Sequence, residues 1–369
     1  MAQSRTKDMT QGPILPLIVK FSLPLLMGNL FQQTYNLVDT AIVGQTLGAK
    51  ALAAVGSSTS IQFLVMGFCI GMSLGFSIPV GQRFGAKDYS GMHRYEYAGG
   101  ILAALFAALV TLLTTVFCNH ILHLLQVPEE IFHDAWVYLI IIFCEIPFTV
   151  MYNYLAGLMR AIGDSKTPFI YLAVASVLNI GLDFLFIVNV GMGVAGAALA
   201  TVLSQALLAL LCLYAVARRY DVLHIEEKAR HYDFLEGRDL MGIGIPMGLQ
   251  YSITAIGSMV MQSANNSLGT QFVSAFTAGT KIKLFLLAPF DAFATAVSTF
   301  VAQNFGARQT DRIRKGIYKG TIVSVLYGAI FGGAGTCACS FLTRQIPSNW
   351  TLPPFTCAAW GTVCGCWGS

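Results

Sequence analysis

The sequence has 369 residues, 55% of them hydrophobic and only 11% charged, with a formal net charge of +4 and a mean hydropathy of +0.65. Soluble globular proteins carry about 25% charged residues, so the surroundings of most side chains here are lipid or other buried helix. An ordinary soluble domain is excluded.

A bilayer core is about 30 Å thick and takes roughly 20 mostly apolar residues to cross as a helix. Runs of that length lie near 15–43, 51–81, 95–119, 131–158, 168–190, 193–217, 240–265, 272–302 and 315–342. They predict nine spanning helices, with eight or ten as the alternative counts. Pro24, Pro147, Pro246 and Pro289 read as interior prolines, tolerable where neighbouring helices or water satisfy the freed backbone groups. The start carries Arg5 and Lys7 but no small-residue cleavage site before the first long run, so no secretory leader is expected. Lys and Arg gather in cytoplasmic loops. With the N-terminus inside, 18 of the 22 basic residues fall on the inner side, from Arg5 and Lys7 through Arg83, Lys87, Arg160 and Arg238 to Arg308 and Lys319. Only Lys50 and Arg344 remain outside, with Lys281 and Lys283 inside the eighth run. The polar stretch 218–239 reads as a cytoplasmic connector whose basic residues set topology. Its acids, Glu226, Glu227, Asp233 and Glu236 among them, dilute any patch for nucleic acid.

The sequence repeats itself. Val80-Gly-Gln-Arg-Phe-Gly-Ala-Lys87 lies over Val301-Ala-Gln-Asn-Phe-Gly-Ala-Arg308, and the same shift matches Arg94 with Lys315, Tyr97 with Tyr318 and Gly99 with Gly320. The first run falls on the seventh and the second on the eighth, so six helices form one unit and a parallel copy begins at the seventh. Paired repeats with a pathway at their interface are a transporter architecture. The expected division is 1–217 as an N-lobe of six helices, 218–239 as connector, 240–342 as a partial C-lobe of about three helices, and 343–369 as a tail. That tail holds Trp350, Trp360, Trp367, Cys357, Cys364 and Cys366 and no apolar span, and it reads as aberrant, an out-of-frame extension or a divergent natural segment. Cys364 and Cys366 alone are too few for a zinc site, which takes four ligands. Cys69, Cys118, Cys144 and Cys212 stand singly along apolar runs as small hydrophobes.

Ionisable groups at bilayer depth cost about 2.5–3.5 kcal/mol on insertion scales, so those present usually line a cavity. Asp39, Glu145, Asp183 and Asp291 are the acids read inside the runs. Asp39 shares a helical face with Gln32 and Asn36, and Asn179 stands one turn from Asp183. A carboxylate flanked by amides can hold a cation or a proton. The competing readings are a solvated acid for Asp39 and a backbone-bonded one for Asp183. Depth alone pairs Glu145 with Lys281 or Lys283. Gly193, Ala197 and Thr201, and likewise Gly196, Ala200 and Ser204, form small-residue ridges for close helix packing. All six His fall in loops or at helix ends, and no Gly-x-x-x-x-Gly-Lys loop occurs for nucleotide phosphates; the chain does not read as an enzyme.

Several stretches resemble the multidrug and toxic compound extrusion family. They are Gln32-Gln-Thr-Tyr-Asn-Leu-Val-Asp-Thr40, the twice-occurring Gly-Gln-Arg-Phe-Gly-Ala loop, Leu158-Met-Arg-Ala-Ile-Gly-Asp-Ser-Lys-Thr-Pro168, Asn179-Ile-Gly-Leu-Asp183 and Gly193-Val-Ala-Gly-Ala-Ala-Leu-Ala-Thr201. The resemblance covers about residues 14 to 342. It implies an all-α polytopic fold of two lobes, here with an incomplete C-lobe lacking helices ten to twelve. It implies a secondary antiporter that exports cationic or amphiphilic drugs and toxic metabolites for H+ or Na+, without a cofactor, as a monomer in the plasma (inner) membrane. A lipid-linked precursor flippase of the same superfamily, or an inactive fragment, are the alternatives. The seventh run, Pro246 to Gly257, has no carboxylate and looks like the DNA-damage-inducible branch. By resemblance Asp39, Asn179 and Asp183 match the acidic or amide positions of the N-lobe ion site, and Asn153 and Thr201 match polar positions around it. The competing role for Asn153 and Thr201 is hydrogen bonding between helices.

Overall fold

A computed structural model describes residues 6–125, 127–225, 227–266 and 270–345, with side chains at 49, 60, 262–266, 270–283 and 332–345 outside the described set. Among the described residues there are helices and turns but no strands. The helical run Ile14–Gly85 breaks at Gly48 (φ 83°, ψ −175°), a conformation open to glycine because it has no Cβ. It therefore makes two crossings: α1, Ile14–Gly48, and α2, whose spanning part is Ile61–Gly85. There follow α3 (Tyr89–Leu124), α4 (Glu129–Ala161), α5 (Lys166–Asn189) and α6 (Val194–Arg219). After the connector come α7 (Phe234–Asn266), α8 (Thr270–Gly306) and α9 (Thr310–Gln345). Eight of these are long and apolar enough to cross a bilayer among the described residues, and the chain is a multi-pass membrane protein. The ninth expected run is helical as α9. Residues 346–369, most of the expected tail, lie outside the described residues.

Two helices depart from the regular spans expected. α4 is two segments, Glu129–Phe143 and Ile146–Ala161, joined by a turn at Cys144 and Glu145. Pro147 is thus not an interior proline. It sits in the first turn of the second segment, where a missing N–H breaks no helical bond. α5 changes from α-helix to a π turn, Phe184–Asn189, directly after Asp183.

The first six helices share a core that includes Met72 and Phe76 of α2, Met92 of α3, Leu139 and Phe143 of α4, and Leu208 of α6. Gly196, Ala200 and Ser204 of α6, one of the two predicted ridges, are buried; of the other only Ala197 is, Thr201 being partly exposed and Gly193 standing before the helix at φ 62°. α6 packs on α4 and α5. Leu105, Leu109, Leu112 and Val116 of α3, each more than half exposed, form a stripe at helical spacing. Such a stripe suits lipid and would be an aggregation site in water. The connector is held rather than loose. His93 Nε2 lies 2.9 Å from the Val222 carbonyl, the Tyr220 hydroxyl donates to Asp164 Oδ2 at 2.6 Å, and Arg94 meets Glu236 at 3.3 Å.

The last three helices meet the first six at the end where the basic loops gather. The repeat is visible there in backbone detail. Lys87 and Arg308, matched by sequence, both take the left-handed conformation (φ 58° and 55°). Ala86 N–H bonds Gln82 O at 3.0 Å and Ala307 N–H bonds Gln303 O at 3.1 Å; Lys87 and Arg308 each bond the phenylalanine carbonyl three residues back at 3.0 Å. The two turns face each other: a Cβ on Gly85 would collide with the Gln303 carbonyl, and one on Gly306 with that of Gln82. Along α2 and α7 the backbones nearly touch. A Cβ on Gly75 would come within 2.6 Å of the Gly244 Cα, and one on Gly71 within 2.5 Å of the Met247 carbonyl oxygen. Without a hydrophobic drive between helices in lipid, small residues that permit such approach hold membrane helices together. On the other side of the seam, Ile18, Phe21 and Leu25 of α1 pack against Ala292, Ala296 and Phe300 of α8.

The segment before α1 is threaded into this seam. Lys7 N–H donates to the Ile162 carbonyl at 3.1 Å. Met9, fully buried, donates its N–H to Gln303 Oε1 at 2.8 Å and accepts at its carbonyl from Asn304 Nδ2 and Arg312 Nη2, each at 3.2 Å. Gln303 completes the bridge by donating to the Ala161 carbonyl at 2.8 Å. Residues 7–9 thus lock the end of α4 to the α8–α9 turn.

Two outcomes are expected. Gly71→Ala places a methyl against a backbone carbonyl and costs on the order of 1–3 kcal/mol, read as a lowered melting temperature in detergent, whereas Gly181→Ala, with open space around it, changes it little. Deleting residues 1–9 unlocks the seam, so a cysteine at Ala161 gains reactivity towards a membrane-impermeant thiol reagent.

Candidate functional site

The buried acids of the first six helices converge. Asp183 is fully buried at the α-to-π transition of α5, Asn179 is 3% exposed one turn before it, and Glu145 is 5% exposed at the break in α4. Asp39 of α1, partly buried, places its carboxyl within interaction reach of that of Asp183. Tyr138 of α4 stands electrostatically close to all three acids and to Tyr35 of α1, and Tyr35 in turn neighbours Gln32, Glu145 and Tyr152. Both helix irregularities therefore fall at acids of the cluster. A break or π turn leaves the regular backbone ladder, and such irregularities at membrane depth belong where protein or a cavity surrounds them.

The hydrogen bonding of the cluster is incomplete. Fourteen buried side-chain polar atoms among the described residues have no hydrogen-bond partner. Seven of them belong here: Asp39 Oδ1, Glu145 Oε2, both amide atoms of Asn179, both carboxyl oxygens of Asp183, and Gln205 Oε1. Native interiors leave few such atoms, and a concentration of them calls for a role. Two carboxylates are both acceptors, so Asp39 and Asp183 bond to each other only with a proton or a cation between them. Glu145 is partly satisfied, accepting from Thr149 Oγ1 at 2.8 Å. Next to Asn179 a slot of about 10 Å³ is lined by Tyr35, Ser176, Thr201, Ser204 and Gln205, roughly the room of one water-sized species. It is far too small for a drug.

The expected site residues divide accordingly. Asp39, Asn179 and Asp183 come together. Gln32 joins through Tyr35, and Thr201 lines the slot while donating to the Ala197 carbonyl at 3.1 Å. Asn153 donates to the Thr149 carbonyl at 2.8 Å, one turn from the Glu145 partner. Asn36 is exposed and stands outside the cluster. Asp183 makes no side-chain bond to the main chain among the described residues, and Asp39 is partly buried. The Lys281 and Lys283 side chains, considered as partners for Glu145, lie outside the described residues. Asp291 is exposed on α8, apart from the cluster, with Tyr251 nearby. Glu96, at the edge of the third run and not counted among the span acids, is also buried, 4% exposed.

Sequence reasoning missed the tyrosines and the place of Glu145. Tyr138, Glu145 and Tyr152 are spaced by seven, a one-face pattern on a helix, and Tyr35 precedes Asp39 by one turn. Those spacings were the available signal.

Comparison with known proteins agrees with the fold. The MatE family model matches residues 24–185 and 246–348. The probable multidrug resistance protein YpnP of Bacillus subtilis (strain 168) is 35% identical over 313 residues, covering 83% of this chain and 68% of that protein. The FAD transporter of Shewanella oneidensis is 26% identical over 352 residues, covering 93% and 76%. An outward-facing multidrug resistance MATE family transporter of the MOP superfamily superposes with a TM-score of 0.83 at 24% identity, covering 90% of this chain and 74% of that one.

If Asp39 and Asp183 face each other, removing one charge relieves repulsion on the order of 1–4 kcal/mol for ionised groups in contact. Asp183→Asn is expected to melt several degrees above the parent protein, because it removes one member of a pair of like groups. Equal melting of the two proteins would place the groups apart.

Proposed function

The chain belongs to the multidrug and toxic compound extrusion family, and on that premise we propose that it exports cationic or amphiphilic organic compounds in exchange for H+ or Na+ taken up by Asp39 and Asp183. As a family member it is a membrane transporter, not an enzyme. The proposed division is six helices for ion loading and a second, partial unit from α7 onward, with the N-terminus cytoplasmic and the basic end facing inward.

One observation carries the reading: Asp39 of α1 and Asp183 of α5 come within interaction reach of each other, and Asp39 Oδ1 and both Asp183 carboxyl oxygens have no hydrogen-bond partner among the described residues. A bound proton or Na+ between the carboxyls draws α1 towards α5. Loss of it leaves two like charges that separate or hydrate. α1 also packs on α8 through Ile18, Phe21 and Leu25, so its displacement changes how the two halves meet. Ion loading then favours one arrangement of the halves over the other, which is the differential affinity that coupling requires. Asn179, Glu145 and Tyr138 hold the pair in place, and the slot beside Asn179 admits a small ion but not the exported compound. The drug site is therefore a separate space, proposed between the halves.

The test is efflux of a cationic dye from proteoliposomes under an imposed pH or Na+ gradient. Gradient-driven efflux is expected to fall at least about tenfold in Asp39→Asn and in Asp183→Asn, the cost of roughly 1.4 kcal/mol of lost coupling. Asn36→Ala is expected to retain it. Comparison of the two gradients identifies the ion. Undiminished coupled efflux in both aspartate variants would overturn the assignment.

A further inference from the structure

At the basic end of the molecule a cleft of about 940 Å³ opens between the first six helices and the last three. Arg83 and Tyr95 line it from the front half, and Arg238 and Arg308 from the back. The charges are unequally matched. Arg83 Nη1 lies 3.0 Å from Asp88 Oδ2 and its guanidinium stacks 5.3 Å from the Tyr95 ring. The Tyr95 hydroxyl donates to Asp239 Oδ2 at 3.0 Å, so the acid lining the cleft is engaged. Arg238 and Arg308 are exposed, and among the described residues neither side chain has a hydrogen bond or ion pair. Thr310, the first residue of α9, also lines the cleft, adding the partial positive charge of a helix N-terminus.

The same cleft has an apolar wall. Phe305 is 61% exposed and stands there with Pro79 and Ile243. The position matters as much as the lining: α2 and α8 end, and α7 begins, at this level, where a spanning helix passes from hydrocarbon into headgroups. Two free arginines beside an apolar wall fit an anion that carries a hydrocarbon part. Guanidinium groups bind phosphate oxygens in a bidentate way, and basic pockets between spanning helices take lipid headgroups.

We propose that this cleft binds the phosphate group of an anionic phospholipid, held by Arg238 and Arg308 with its glycerol and first methylenes against Phe305 and Ile243. Because the walls come from both halves, an occupied cleft ties them together at this end, beside the seam closed by residues 7–9. A free phosphate compound shares the headgroup chemistry but has no use for the apolar wall.

Purified full-length chain would be examined by native mass spectrometry with phosphatidylglycerol and phosphatidylcholine of identical acyl chains, and by thermal shift with glycerol phosphate. The parent protein is expected to retain phosphatidylglycerol preferentially, and Arg238→Gln and Arg308→Gln each to lower that retention about fivefold. The single variants are read separately, so a folding defect in one leaves the other informative. Arg314→Gln with Lys319→Gln, exposed at the same end on α9 but outside the cleft, is expected to keep the preference. Equal retention of the two lipids by the parent, or equal loss in the Arg314 and Lys319 control, would overturn the site. Glycerol phosphate stabilising the protein as well as phosphatidylglycerol would overturn the lipid assignment in favour of a soluble phosphate.

Discussion

Two carboxyl groups facing each other away from water cannot both remain charged and unpartnered without large cost, and the architecture of the first six helices is arranged around that constraint. Asp183 is fully buried where α5 turns from α to π. Glu145 sits where α4 breaks. α1 brings Asp39 from a third direction. Continuous ideal helices would satisfy their own backbones and give these side chains no departure from the regular ladder. The irregularities instead concentrate unsatisfied polar atoms in one small region.

The same helix that carries Asp39 also carries the contact with α8. At its start, Ile18 and Phe21 pack on Ala296 and Phe300, and the preceding residues 7–9 are stitched to Gln303, Asn304 and Arg312. One helix thus joins the acid pair to the seam, with Asp39 and Phe21 about 27 Å apart along it. Along α2 and α7 that seam is a close approach of backbones. Gly71 and Gly75 of α2 let α7 approach until no Cβ would fit.

Much of this was legible in the sequence, for identifiable reasons. Apolar runs of bilayer length set the crossings, because lipid imposes one length on every helix. The repeat of Val80–Lys87 at Val301–Arg308 anticipated a pair of equivalent turns, and the two do share the left-handed residue and the same hydrogen bonds. Asp39, Asn179 and Asp183 were picked out because charge at membrane depth is rare. Glu145 was left aside and Tyr138 unremarked because their meaning comes from neighbours on other helices, which spacing along one helix does not show. Pro147 looked like an interior proline because the break at Cys144 and Glu145 has no glycine to announce it. Asn36 shared the expected face of α1, yet the cluster forms on the side of Asp39.

The sequence by itself determined that the chain crosses the membrane repeatedly, roughly where each crossing lies, and where the basic residues cluster between crossings, since each follows from the cost of placing apolar or charged groups in water or lipid. Only the tertiary structure decided which acids meet, which glycines oppose which, and that Arg238 and Arg308 share a cleft with Arg83. Those are distances between segments far apart in the chain. Hydropathy places a residue along the membrane normal, but rotation and tilt of packed helices decide what stands beside it.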